Sequence, residues 1–295
     1  LAHSTWFWES FILSAHVNDY KCFHERYAFL FNSYYESKGE RVMRLDRGNM
    51  SRPSVHEIMS YRAYVDDHMI KLLQRGVDGD LQSLVEIGIH HEQQHQELLY
   101  TDIKYILGHN PLFPIYKKDF SENTITTPST ASWISIQEGT YTIGHTSDGF
   151  SFDNEHAAHK VFLPAFAIQS ACVNNQAYMD FINDGGYHQP LLWHSDGWEW
   201  VKTDKIDSPM YWHSIDGVWH RYALSGLQAV LAHEPVTHLS YYEAAAFATW
   251  AGFRLPTEAE WETASHQFTW GQRWEHTNSA YLPYPGYVKP AGAVG

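Results

Sequence analysis

Residues 84–107 read "LVEIGIHHEQQHQELLYTDIKYIL", with three histidines, three glutamines, three glutamates and no proline. Gly108, Asn110 and Pro111 follow as stop signals, so the stretch closes a helix running from about Leu81 to Leu107. Residues four apart share one face of an α-helix, and His91 and His95 can therefore present two imidazoles to one ion. Spacing alone does not decide the matter. With 20 histidines in 295 residues, roughly one such pair arises by chance, and surface or hydrogen-bonded core histidines are the common alternative.

The string His91-Glu92-Gln93-Gln94-His95 is also H-E-x-x-H, in which two histidines bind zinc and the glutamate is the general base of a metalloprotease. Leu98 stands where the longer version of that motif needs glycine, but a third ligand from elsewhere would still complete a zinc site. The other histidine of interest is His3, in "LAHSTWFWESFIL", which begins an amphipathic helix. Bundle interiors build metal sites from side chains on different helices, and His3 with His91 and His95 would make a three-histidine face. A facial set of three leaves positions open for substrate and dioxygen, as in non-heme iron oxygenases.

Outward from this helix, residues 1–110 read as a four-helix bundle. Trp6, Phe7, Ser10, Phe11 and Ser14 recur at helical spacing, as do Tyr27, Leu30, Phe31 and Tyr34, then Ile58, Tyr61, Val65, Met69 and Leu72. Ser54 and Glu57 form a capping-box signature at the start of the third helix. Residues 111–131, rich in proline, serine and threonine, read as a linker. From 132 to 295 short alternating runs, "SWISIQEGTYTIG" and "KVFLPAFAIQSACV", predict strands. Two helices, "NNQAYMDFINDGG" and "LSYYEAAAFATWAG", interrupt them, the second leading into a further capping box at Thr257 and Glu260. The second domain is thus a loop-rich α+β fold, and the tryptophan-rich stretch 191–226 suits a shaped ligand surface.

Composition narrows the function classes. Twenty basic against 34 acidic residues give a net charge of -14, which opposes a nucleic-acid backbone as partner. Two cysteines, Cys22 and Cys172, supply no disulfide framework and favour a reducing, cytoplasmic compartment. No apolar run approaches the roughly 18 to 20 residues of a membrane span. The chain opens without methionine and stops at "PAGAVG" without a helix stop, which reads as a trimmed chain.

Several strings together resemble the ergothioneine-biosynthetic sulfoxide synthases, the EgtB family of non-heme iron enzymes: "LAHSTWFWESFIL", "LFNSYYESKGERVMRLDRGNMSRPSVHEIMSYRAYVD", "HHEQQHQELLYTDIKYIL", "SDGWEWV", "PMYW", "DGVW" and "VTHLSYYEAAAFATWAGFRLPTEAEWE". The resemblance spans nearly the whole chain. It implies a DinB-like four-helix bundle (1–110) followed by a formylglycine-generating-enzyme-like domain of C-type-lectin fold (132–295), the latter continuing in the family beyond the last residue here. It implies Fe(II) held by His3, His91 and His95, and a reaction joining hercynine imidazole C2 to the thiol of cysteine or γ-glutamylcysteine with O2 as oxidant.

By the same resemblance Gln94 contacts the hercynine imidazole, Tyr34 or, preferentially, Tyr35 donates a proton, and Arg44 and Arg47 grip the thiol substrate's carboxylate. The paired tyrosines tilt the choice of donor toward cysteine. Alternatives are an ovothiol- or selenoneine-type synthase on the same iron face, the zinc metalloprotease, and a lectin-like binding module that would leave His3 without a role.

Overall fold

The structure is a computed structural model and describes residues 1–32, 44–120, 131–271 and 273–288. Its packing divides the chain into two compact units, Leu1–Asp102 and Ile103–Val288. The division falls inside the histidine helix, which runs unbroken from Gly79 to Gly108, rather than in the Pro/Ser/Thr-rich stretch after it. Within the second unit part of that stretch is tied to a sheet: Tyr116 and Lys117 N–H both donate to the Leu224 carbonyl, and Tyr222 Oη donates to that of Pro114 at 2.7 Å. Among the described residues no helix is long and apolar enough to cross a membrane.

The first unit is helical. Helix α1 (Ala2–Phe7) continues as a π-helical segment (Trp8–Leu13) and ends in the single turn α2 (Ser14–His16). Trp6, Phe7, Ile12 and Leu13 are fully buried, and Trp8, Glu9 and Phe11 nearly so. A helix covered on almost every side is a central element, not a surface one. Around it lie α3 (Tyr27–Phe31), α4 (Val55–Gln74) and α5 (Gly79–Gly108). The capping box read from Ser54 and Glu57 forms at the start of α4, and Tyr61, Val65, Met69 and Leu72 bury one stripe of it. Helix α3 stops at Phe31, short of the extent predicted from Tyr27 to Tyr34. Buried Asn32 leaves the helix with φ -70° and ψ 108°, in keeping with the poor standing of asparagine inside helices. The expected Tyr34 of that repeat lies outside the described residues.

Glu9 is the polar centre of this core. Its carboxylate accepts from Tyr61 Oη at 2.7 Å, Tyr20 Oη at 2.9 Å and the Phe23 N–H at 2.9 Å. Three donors satisfy a group that would otherwise be a heavy desolvation cost, and they tie the π segment to α4 and to the loop before α3. Burial, and next the Glu9 carboxylate, push both phenols well above the usual tyrosine range.

In the second unit β1 (Trp133–Ile136) pairs with β4 (Phe166–Gln169), and β2 (Gly139–Ile143) with β3 (His159–Leu163), both antiparallel and in the runs expected to be strands. A meander of β5 (Trp212–Ile215), β6 (Val218–Ala223) and β7 (Gly226–Ala229) forms a third sheet. Helix α6 (Asn175–Asn183) and helix α8 (Tyr241–Trp250) share a core with Tyr187, Trp193 and Val201. Helix α9 (Glu258–Ala264) begins at the capping box of Thr257 and Glu260.

The tryptophan-rich stretch, in which the sequence predicts no element, holds most of the β5–β7 meander and also helix α7 (Ser195–Asp204), "SDGWEWVKTD". Gly197 in its first turns resembles a turn residue in sequence. In space it is a contact residue, because a Cβ there would sit 2.7 Å from Tyr242 Cβ.

Replacing Tyr61 by Phe leaves buried Glu9 one donor short. A loss of about 1–3 kcal/mol in unfolding free energy is expected, read as a lower urea midpoint with an unchanged slope.

Candidate metal centre

The first of the candidate ligands lies on α1, and its His3 ring is fixed on both sides. His3 Nδ1 donates to the Phe31 carbonyl at 2.7 Å, and the ring stacks on Trp6 with centroids 5.4 Å apart. A carbonyl oxygen only accepts, so Nδ1 carries a proton and Nε2 is the nitrogen that could meet a metal. This bond from an imidazole to a backbone carbonyl is the usual outer support of a metal-binding histidine.

The other two histidines come from α5. His91 is buried and lies against the Phe7 ring at 4.5 Å, while His95, one turn later, is half-buried. Their Nε2 atoms are 3.2 Å apart. The His3 ring centroid is 5.2 Å from that of His91 and 4.9 Å from that of His95, and one nitrogen from each of the three rings lies within 4.8 Å of the others. Two nitrogens each about 2.1 Å from a single ion and at right angles to it stand about 3 Å apart, so the α5 pair already has ligand spacing.

The electrostatics suit a cation that is not a proton. Burial, with the His95 and His3 rings nearby, pushes His91 down to about 4, and burial lowers His95 as well. Both are neutral near pH 7, the form a metal requires. His91 Nδ1 has no hydrogen-bond partner among the described residues. Three imidazoles, each neutral once it binds a metal, fit zinc, copper, iron or nickel by donor type. The residues present therefore fit a first-row transition metal.

Glu92, the second letter of H-E-x-x-H, is engaged elsewhere. Its Oε1 accepts from Trp8 Nε1 at 3.0 Å and from the Arg62 guanidinium. Burial alone would raise its carboxyl; the hydrogen bonds from Arg62 and Trp8 outweigh this and hold it below the usual range. One residue on from His91 is a turn of about 100° around a helix of 3.6 residues per turn, so Glu92 faces its partners on α1 and α4.

Gln94 is exposed, next to His95. Tyr34 and Tyr35 lie outside the described residues, and the side chains of Arg44 and Arg47 do too, although their backbone forms the 3-10 helix Arg44–Asn49. The Phe31 carbonyl, Trp6, Phe7, Trp8 and Arg62 were not singled out in the sequence as parts of the site. Of these only Trp8 left a signal, Gly88, an interior helix glycine with no turn to explain it, on which the indole lies.

The second unit carries a separate cavity of about 1450 Å³ lined by Trp133, Tyr178, Trp250, Trp261 and Trp274 among others, with Cys172 at its wall. Burial and then Glu275 push the Cys172 thiol up to about 11, which keeps it protonated and poorly nucleophilic at neutral pH.

Residues 117–290 match the sulfatase-modifying factor enzyme 1-like domain family. The hercynine oxygenase of Mycobacterium tuberculosis is 39% identical over 158 residues, 48% of this chain and 37% of its own. That of Mycolicibacterium smegmatis is 29% identical over 287 residues, 90% of this chain and 63% of its own, so the match extends over both units. The formylglycine-generating enzyme of Bos taurus is 29% identical over 167 residues, 50% of this chain and 44% of its own. The chain thus spans less than two thirds of the length of each of these relatives.

The depressed His91 value sets a pH dependence for the metal-free protein. An unfolded chain takes up the imidazole proton near 6.5, the folded one only near 4. Between those values the unfolded state binds more protons, so stability falls as pH falls. Urea midpoints followed through this window in the presence of a chelator should decline for the native chain. They should decline less for His91→Phe, which keeps a ring against Phe7 and leaves only the smaller share of His95.

Proposed function

This chain belongs to the sulfatase-modifying factor enzyme 1-like family, and from that membership and its three-imidazole cluster we propose that it is an iron(II)- and O2-dependent hercynine oxygenase, a sulfoxide synthase of ergothioneine biosynthesis. The convergence of His3, His91 and His95 within 4.8 Å carries the reading. Its relatives named hercynine oxygenase supply the substrate class. The helices around the cluster would be a DinB-like bundle, with residues 132–295 the formylglycine-generating-enzyme-like domain, in a cytoplasmic protein.

The reaction balances without an added reductant. Hercynine gives up its C2–H and the thiol its S–H, a C–S bond forms, one oxygen atom of O2 ends on sulfur and the other leaves as water. Iron(II), when bound, would supply adjacent open positions and one-electron chemistry. The chain's residues do the rest. His3, fixed through Nδ1 to Phe31, and His91, fixed against Phe7, present neutral nitrogens in set directions. Neutral ligands leave the metal its full charge, which favours an anionic thiolate and loss of its proton. Gln94 would hold the hercynine ring, Arg44 and Arg47 the carboxylate of cysteine or, less favoured, γ-glutamylcysteine, and Tyr35 or Tyr34 would donate the proton. The zinc metalloprotease reading loses its general base, because the Glu92 carboxylate is bound by Trp8 and Arg62.

Anaerobic loading with iron(II), then oxygenated buffer with hercynine and cysteine, should give a product with the mass of the sulfoxide. His3→Ala or His95→Ala should weaken iron binding about tenfold or more. Absence of iron binding in the native chain, or oxygen uptake with histidine alone in place of hercynine, overturns the assignment; the latter result points to an ovothiol-type synthase.

A further inference from the structure

Two helices supply the three histidines, and something must hold those helices in register. Helix α1 carries His3 and, in the π segment that continues it, Trp8. Helix α5 carries Gly88, His91, Glu92 and His95. The Trp8 indole lies directly on Gly88, where an added Cβ would be 2.5 Å from Cη2 and 2.6 Å from Cζ3. Glycine inside a helix costs about 1 kcal/mol relative to alanine, so its use here fits a close approach of the two helices. One turn further along α5, Glu92 Oε1 accepts the same indole's N–H at 3.0 Å. Arg62 of α4 donates to that oxygen too and is oriented by a second bond, Nε to Asp66 Oδ1 at 2.7 Å. The side chains of Arg62 and Glu92 are only 26% and 20% exposed, which sets the pair apart from the weakly coupled ion pairs of open surfaces.

We propose that Glu92 is a positioning residue for the metal centre: with Trp8 seated on Gly88 and Arg62 behind it, Glu92 clasps α5 to α1 and α4 at the level where His3 meets His91 and His95. The proposal rests on the metal reading above. Gly88 and Glu92, four apart, share the clasp face; His91 and His95, also four apart, share the ligand face next to it. The clasp never touches the ion and acts through the helix backbone. A slip of α5 by one turn, about 5.4 Å, would carry the α5 pair out of reach of His3 while leaving both helices intact.

Cobalt(II) is a suitable probe, titrated anaerobically into the metal-free chain and followed by its visible absorption, alongside melting curves of the metal-free variants. Glu92→Ala should weaken cobalt binding by about 10- to 100-fold, the range found for outer-shell partners of metal ligands. Trp8→Phe keeps an aromatic ring on Gly88 but loses the N–H donor and should fall between. Glu92→Gln retains an oxygen for the indole and should recover much of the affinity. Unchanged affinity in folded Glu92→Ala, whatever its melting temperature, assigns Glu92 a purely structural role and overturns the proposal. If that variant does not fold, Trp8→Phe decides: native-like affinity overturns it. Failure of the native chain to bind cobalt or iron is a different result, which removes the metal reading itself.

Discussion

Helix geometry alone brings His91 next to His95, but nothing local brings His3 to them. That meeting depends on α1 lying close enough to α5 for an indole to rest on a bare backbone, and the rest of the first unit can be understood as support for it. Trp6 and Phe7, neighbours of Trp8 in sequence, stack on His3 and His91 respectively. The next residue, Glu9, binds Tyr61 of α4 and Tyr20. Four consecutive residues therefore address the histidine face, the clasp and the tyrosines that satisfy a buried carboxylate. An unbroken α-helix spaces such directions by a fixed angle; the π-helical run Trp8–Leu13 changes that spacing where the core demands it, a device that proteins often place beside functional sites.

What could be read from the sequence was whatever is encoded within a few residues. Ser54 with Glu57, and Thr257 with Glu260, are capping boxes in the structure as in the letters, because the motif is closed by hydrogen bonds over three positions. Strands β1–β4 of the second unit also follow their alternating runs, whereas the β5–β7 meander falls in a stretch that gave no such run. Tertiary interactions left little trace. The His3–Phe31 bond spans 28 residues and its acceptor is a backbone carbonyl that any residue would provide. Helix α7 was hidden because Gly197 signals a turn locally, while its role is to let Tyr242 approach. Of the candidate substrate residues, Gln94 is exposed beside His95; the side chains of Tyr34, Tyr35, Arg44 and Arg47 lie beyond what the structure describes.

The capping glutamates of the second unit do more than close a helix. Glu243 accepts the Ser240 N–H at 2.7 Å and the Tyr187 hydroxyl at 2.6 Å, and Tyr187 Oη lies 3.0 Å from that of Tyr178 in α6. Burial raises its carboxyl above the usual range, against the pull of those donors. Glu260 accepts the Thr257 N–H and both terminal nitrogens of Arg254, a paired geometry that arginine's planar fork matches. In each case one carboxylate fixes where a helix starts and what packs beside it. A fold with short strands and long connections needs such joints, since two-stranded ribbons are marginal alone.

The same economy explains why a five-letter motif misleads. In H-E-x-x-H proteases the glutamate after the first histidine faces the metal water; its function is a direction, not a letter. Here the carboxylate at that position is bound by an indole N–H and a guanidinium on neighbouring helices. Turning it toward the ligand face would take from Arg62 one of its two carboxylate partners and leave the indole without an acceptor, the latter a cost of order 1–3 kcal/mol. Among the described residues no carboxylate joins the three histidines, so in the proposed reading a divalent ion there would keep its full positive charge. An anionic ligand such as a thiolate would suit that charge, and in the proposed reading the glutamate that a protease would use on water holds the helices that make the site.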